Sequence, residues 1–177
     1  MRAMDQQAAA ATESPEDLRI QFAFEEFFET ERERLFRALL LVTHDSPEAE
    51  DLMQEAFLRV WERWDRVGTL DDPVGYLFKT AMNLHRSAIR RAVAAAKRSL
   101  RAPGEHDPFE RVIDRDEAVR SLAALTPRQR AAVVVTELLG YSSEEAGTIL
   151  GIRPGTVRTL TAQARAALQE WKEREDV

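Results

Sequence analysis

No cysteine occurs among the 177 residues, which excludes disulfides, thiolate metal sites and cysteine nucleophiles and fits a reducing compartment. Glycine and proline are sparse, at seven each, and no strand-type alternation persists anywhere along the chain. The three histidines, His44, His85 and His106, are scattered and have no second ligand at HxxxH or similar spacing. A glycine-rich phosphate loop is also missing. No segment approaches the roughly 20 apolar residues that cross a bilayer, and the start, MRAMDQQAAAATESPEDL, lacks a sustained apolar signal region. Acid pairs such as Glu25-Glu26 and Glu144-Glu145 read as exposed helix acids rather than general acid-base pairs. The expectation is a soluble, cytoplasmic chain without membrane insertion, with no catalytic residues, no metal and no cofactor.

What the chain does have is alanine, leucine, glutamate and arginine, a composition that predicts an all-α protein. Helix starts are punctuated by a polar residue before proline, at Ser14-Pro15, Ser46-Pro47, Asp72-Pro73, Asp107-Pro108 and Thr126-Pro127. Each pair supplies a cap and a first-turn residue with no amide to leave unsatisfied. Helices are predicted near 15–43, 47–64, 73–99, 108–124, 127–139, 143–150 and 154–173, the first with a break near Thr30.

Apolar rows then group these helices into two small helical domains. Phe28, Leu35, Leu39 and Val42, then Leu52, Ala56, Phe57, Val60, Trp61 and Trp64, then Tyr76, Leu77, Thr80, Ala81 and Leu84 predict a first bundle. Ala131, Val134, Val135, Leu138 and Leu139 recur at helical spacing and require the last helices to cover them. Between the bundles lies LRAPGEHDPFERV, read as a flexible linker, and residues 1–13 are read as disordered.

The formal charge of −6 argues against a simple DNA-coating protein, yet the sum hides a segregation. No acid occurs from Pro73 to Gly104, where Lys79, Arg86, Arg90, Arg91, Lys97, Arg98 and Arg101 all fall. Acid collects earlier, in Glu25, Glu26, Glu29 and Glu31 and in Asp45, Glu48, Glu50, Asp51 and Glu55. One basic and one acidic surface are expected.

The stretch SSEEAGTILGIRPGTVRTLTAQARAAL, residues 142–168, spells a helix-turn-helix. Ser142 or Ser143 caps a short helix whose apolar side is Ala146, Ile149 and Leu150, and Gly147 leaves room for a close crossing. Gly151 supplies the positive φ of the turn, Ile152 plugs the gap beneath it, and Pro154 opens the next helix. That helix buries Val157, Leu160, Ala164, Leu168 and Trp171 and turns Thr156, Arg158, Thr159, Gln163 and Arg165 outward, a set able to bond phosphates and base edges. An ordinary helical hairpin is the competing reading.

Two separated segments also carry a resemblance. AEDLMQEAFLRVWERW at 49–64 with PVGYLFKTAMNLHRSAIRR at 73–91 resembles the domain by which bacterial sigma factors hold RNA polymerase and open promoters. LTPRQRAAVVVTELLGYSSEEAGTILGIRPGTVRTL at 125–160 resembles their second DNA-binding domain. The short length and direct joining are similar to the extracytoplasmic-function group. The resemblance implies a tail over 1–21, disordered or partly helical, a region 2 domain over 22–99, a linker over 100–114 and a region 4 domain over 115–173. Implied partners are core RNA polymerase, promoter DNA and an anti-sigma factor.

By this resemblance the second helix would dock the polymerase clamp through Asp51, Gln54, Glu55, Leu58 and Trp61. The third would receive the minus-ten element through Lys79, Asn83, Arg86, Arg90 and Arg91, with the Asp65 to Asp72 loop holding a flipped base. Arg153, Thr156, Arg158, Thr159, Gln163 and Arg165 would meet the minus-thirty-five element. Solvated charged faces with tryptophans in the core are the plainer alternative for the first two sets. Ser87 stands where many relatives carry aspartate, Leu160-Thr161 replaces an arginine-leucine pair and would move the buried contact by one residue, and Arg153 takes a frequent serine-cap position. The alternative functions are a stand-alone helix-turn-helix transcriptional regulator and a sigma-like decoy for a regulator.

Overall fold

The computed structural model describes residues 14–98 and 117–175, which hold helices and their connections and no strand. The linker expected over 100–114, the disorder expected over 1–13 and the helix start expected at Pro108 fall outside the described residues. Before the gap come α1 (Pro15–Thr43), α2 (Ser46–Trp61), α3 (Trp64–Val67) and α4 (Pro73–Arg98). After it come α5 (Glu117–Ala123), α6 (Pro127–Val133), a π-helical turn (Val134–Leu138), α7 (Ser143–Leu150) and α8 (Pro154–Glu175).

Local chemistry explains the boundaries. Asp45 caps α2, its Oδ1 accepting from the Glu48 amide at 2.6 Å, with Pro47 in the first turn. Thr126 and Ser142 build capping boxes with Gln129 and Glu145 at the starts of α6 and α7. The hydrogen bonds from Ser142 hold the Glu145 carboxyl below the usual carboxylate range.

Two expected boundaries differ. Helix α1 runs unbroken through Thr30, whose hydroxyl donates to the Glu26 carbonyl at 2.8 Å and so stays satisfied inside the helix. The helix expected over 47–64 instead divides, because Arg63 leaves helical geometry at φ −130. Trp64 lies one turn beyond the buried Val60 and is itself buried at 8 % exposure, against 42 % for Trp61.

Leu35, Leu39, Val42, Val60, Leu77, Phe78 and Met82 form the buried centre of the first half, and Val134, Val135, Val157 and Ala164 that of the second. These residues belong to one continuous cluster, because α1 packs on α6 and the π turn while α4 packs on α7. Arg34 spans the junction: its Nη2 donates to the Leu139 carbonyl at 3.2 Å, and its guanidinium lies 5.8 Å above the Phe78 ring. Burial and the Asp72 carboxylate push the neighbouring Tyr141 phenol up to about 12.

His44 ends α1 in the left-handed region, at φ 58, and its Nε2 is buried with no hydrogen-bond partner. Burial and the Arg130 guanidinium lower its pKa, opposed by a hydrogen bond to the Leu122 backbone. The folded state therefore prefers the neutral ring. Its contribution is complete above the ordinary imidazole value and is lost as pH falls through the lowered one. Between about pH 7 and 5 the melting temperature should drop, and His44→Asn, which tolerates the left-handed backbone, should flatten that drop. Identical melting profiles for both chains would remove His44 as the cause.

Candidate functional site

The helix-turn-helix is set by its turn. The α7 helix stops because Gly151 adopts φ 62, ψ 39, and the Ile152 amide returns to the Gly147 carbonyl at 3.0 Å. A Cβ on Gly147 would stand 2.9 Å from the Ile152 carbonyl oxygen and 3.4 Å from the nitrogen of Pro154, so this glycine admits both the turn and the start of the crossing helix.

On α8, Val157, Thr161 and Ala164 are buried, whereas Leu160, Leu168 and Trp171 are half-buried. The buried contact therefore stays at 161 instead of moving to Leu160. Threonine is tolerated there because its hydroxyl lies 3.5 Å from that of Thr136. Leu160 turns sideways, towards α4. The outward set Arg153, Thr156, Arg158, Thr159, Gln163 and Arg165 is exposed. Arg158 pairs with Glu144 at 3.0 Å and Arg165 with Glu137 at 2.5 Å, so α7 and the π turn aim two of the arginines. Sequence reasoning took Glu144 only for an exposed helix acid and did not name Glu137, since they lie 14 and 28 positions from the arginines.

Helix α2 buries Ala49, Leu52, Ala56, Phe57 and Val60 and leaves Asp51, Gln54, Glu55, Leu58 and Trp61 exposed along the other side. Leu58 and Trp61 line a groove of about 490 Å³ with Phe24 and Phe28 of α1, rimmed by Gln21, Glu25 and Gln54. Phe24 anchors it, its ring centroid 4.8 Å from Trp61 and 5.3 Å from Trp64. The contribution of α1 was not foreseen, although Phe24 and Phe28 at i,i+4 beside Glu25 were a visible signal.

Helix α4 starts where the Asp72 carboxylate accepts from the Gly75 amide at 2.7 Å. Lys79, Asn83, Arg86 and Arg90 follow at spacings that make one exposed stripe, with Arg91 beside it. Of the two aromatics in the first turns of α4, Phe78 is wholly buried and belongs to the core, while Tyr76 is half-buried. Ser87 accepts from Arg90 Nη2 at 3.0 Å and is thus a neutral partner for that cation. His85 faces inward, its Nδ1 3.1 Å from Glu48 Oε1, which ties α4 to the first turn of α2. Arg86 donates to Asn83 Oδ1 and to the Leu150 carbonyl of α7. Among the described residues no His/Asp/Glu cluster could hold a metal, and no helix is long and apolar enough to cross a membrane.

These features define an all-helical DNA-binding protein in which a helix-turn-helix follows a bundle carrying one acid-framed apolar face and one cationic face. Comparison with known proteins is specific on the same two segments. The description Sigma-70 region 2 matches residues 27–95, and Sigma-70, region 4 matches residues 115–168. The RNA polymerase sigma-E factor of Streptomyces avermitilis is 30% identical over 156 residues, covering 87% of each chain. The ECF RNA polymerase sigma factor SigL of Mycobacterium tuberculosis is 32% identical over 142 residues, covering 76% of this chain and 80% of its own. The fold is shared with the structure of the sigma factor RpoE in complex with the anti-sigma factor NepR from Bartonella quintana, at TM-score 0.68, 22% identity and coverage of 85% and 96%. It is also shared with the structure of CnrH in complex with the cytosolic domain of CnrY, at TM-score 0.59, 21% identity and coverage of 87% and 90%. The chain belongs to the sigma-70 family, as an extracytoplasmic-function sigma factor that binds core RNA polymerase and promoter DNA and directs promoter-specific initiation.

Proposed function

We propose that region 2 spans 22–99 and region 4 spans 115–173, joined through 100–114, and that each exposed surface has one task. Asp51, Gln54, Glu55, Leu58 and Trp61 dock core polymerase. Lys79, Asn83, Arg86, Arg90 and Arg91 take the separated minus-ten strand, and Arg153, Thr156, Arg158, Thr159, Gln163 and Arg165 take the minus-thirty-five duplex. The observation that carries this is the division of charge within one bundle. An acid-framed apolar face on α2 suits a basic protein helix, and an acid-free stripe on α4 suits phosphates and unstacked bases. The chain performs no catalysis of its own, works in the cytoplasm where promoters are, and is held by an anti-sigma factor. The structure of RpoE in complex with the anti-sigma factor NepR supports that last assignment.

Run-off transcription with purified core polymerase tests the whole reading. Promoter-dependent transcripts that require both components are expected, whereas tight sequence-specific duplex binding by the chain alone would favour a stand-alone regulator. Within this scheme Asn83→Ala should reduce open complexes on a double-stranded promoter by about tenfold, the worth of one or two hydrogen bonds. A template already unpaired at the minus-ten element should recover part of that loss. Equal loss on both templates would assign Asn83 to folding or polymerase binding.

A further inference from the structure

Arg158 stands one turn into α8, and a carboxylate is already on it. Its Nη1 donates to Glu144 Oε1 at 3.0 Å, while its Nη2 lies 4.0 Å from where a Cβ on Gly155 would stand. The side chain therefore runs back over the first turn of α8 towards the start of α7. Glu144 meets it alone, because the neighbouring Glu145 carboxylate is folded onto Ser142 in the capping box. Two turns further along the same face, Arg165 Nη2 meets Glu137 Oε1 at 2.5 Å, an acid from the π-helical turn. Arg153, also in the outward set, has no acid partner among the described residues.

The Glu144–Arg158 pair is not explained by stability. Its side chains are 69 % and 60 % exposed, and a pair so open to water contributes little to folding. A carboxylate beside a reading helix also works against DNA binding, since it repels phosphates and cancels a cation that would release counterions. What the carboxylate provides is aim. An unpaired arginine at a groove edge takes the nearest phosphate, a contact that carries no sequence information. With Nη1 held by Glu144, the rest of the guanidinium fork keeps the two parallel donors that guanine O6 and N7 accept. We propose that Glu144 is a positioning residue for promoter discrimination, which keeps Arg158 off the phosphates and presents it to a guanine, lowering general affinity and raising selectivity. The proposal rests on the assignment of Arg158 to the minus-thirty-five duplex.

The test is a titration of holoenzyme, over a range of salt, with duplexes that carry the correct or a scrambled upstream element. Glu144→Gln keeps the shape of the side chain and leaves the Ser142–Glu145 box that starts α7 in place, so helical content should not change. Binding to the scrambled duplex should rise about 3- to 10-fold at low salt while binding to the correct one changes by less than about twofold, a loss of discrimination within the worth of one arginine–guanine contact. The salt dependence should steepen by about one phosphate. In an Arg158→Ala chain the same substitution should no longer alter discrimination, because the two side chains act as one unit. A correct duplex with 7-deazaguanine, which lacks N7, should bind the unaltered holoenzyme more weakly than natural DNA does and should cost the Glu144→Gln holoenzyme less. If Arg158→Ala lowers discrimination and Glu144→Gln does not, or if Glu144→Gln strengthens both duplexes equally, the positioning role is overturned and the promoter assignment stands. Discrimination untouched by Arg158→Ala instead removes Arg158 from the base-reading set, and the role of Glu144 goes with it.

Discussion

Asp51→Lys combined with Glu55→Lys is expected to weaken binding to core polymerase about 30- to 150-fold, equivalent to about 2–3 kcal/mol, with helical content unchanged. Both carboxylates leave α2 on the side opposite Leu52, Ala56 and Val60, so neither substitution enters the core. They flank Leu58 and Trp61, which are 58 % and 42 % exposed, unusual for such large apolar side chains unless a partner covers them. The loss cannot come from the Glu55–Arg59 pair, at 2.8 Å, since an exposed i,i+4 pair contributes only about 0.3–0.5 kcal/mol. Competition against another sigma factor for limiting polymerase measures the effect. Affinity equal to the unaltered chain would take the docking role away from this face.

Arg158→Ala should reduce discrimination between the correct and a scrambled upstream element by about 1–3 kcal/mol, the worth of a good arginine contact to a base edge. Arg158 leaves α8 next to the buried Val157 and is steadied by Glu144, so its direction is set before DNA arrives. A phosphate contact would behave differently, weakening all sequences alike and lowering the salt dependence. Footprints of holoenzyme on both elements distinguish the two. Full upstream protection with Arg158→Ala would mean that the helix enters the groove on another side.

Much of the fold was legible because the signals were local. Proline-led caps placed the starts of α1, α2, α4 and α6, and the Ser142 box with Gly151 placed both ends of α7. The misreadings share one cause, which is that burial depends on partners distant in sequence. Trp64 was legible as part of the apolar row, but nothing near it says that Phe24 and Phe27, some forty positions earlier, will receive its ring. Nor does the neighbourhood of Phe78 show that it goes to the core under Arg34 while Lys79 beside it stays in water. The exposure of the candidate side chains was more legible than their state of engagement.

The amino-acid sequence by itself determined the all-helical class, the helix-turn-helix and the separation of acid from base, since caps, glycine turns and apolar periodicity act within a few residues. Only the tertiary structure decided that α1 shares in the apolar groove beside Trp61 and that Glu144 and Glu137 hold the reading-helix arginines. It also decided that Arg86 closes on the end of α7 and not on solvent. The physical reason is range. Capping and periodicity are written into neighbouring positions, whereas a guanidinium chooses among acceptors that packing alone brings near, here a carbonyl 64 positions away.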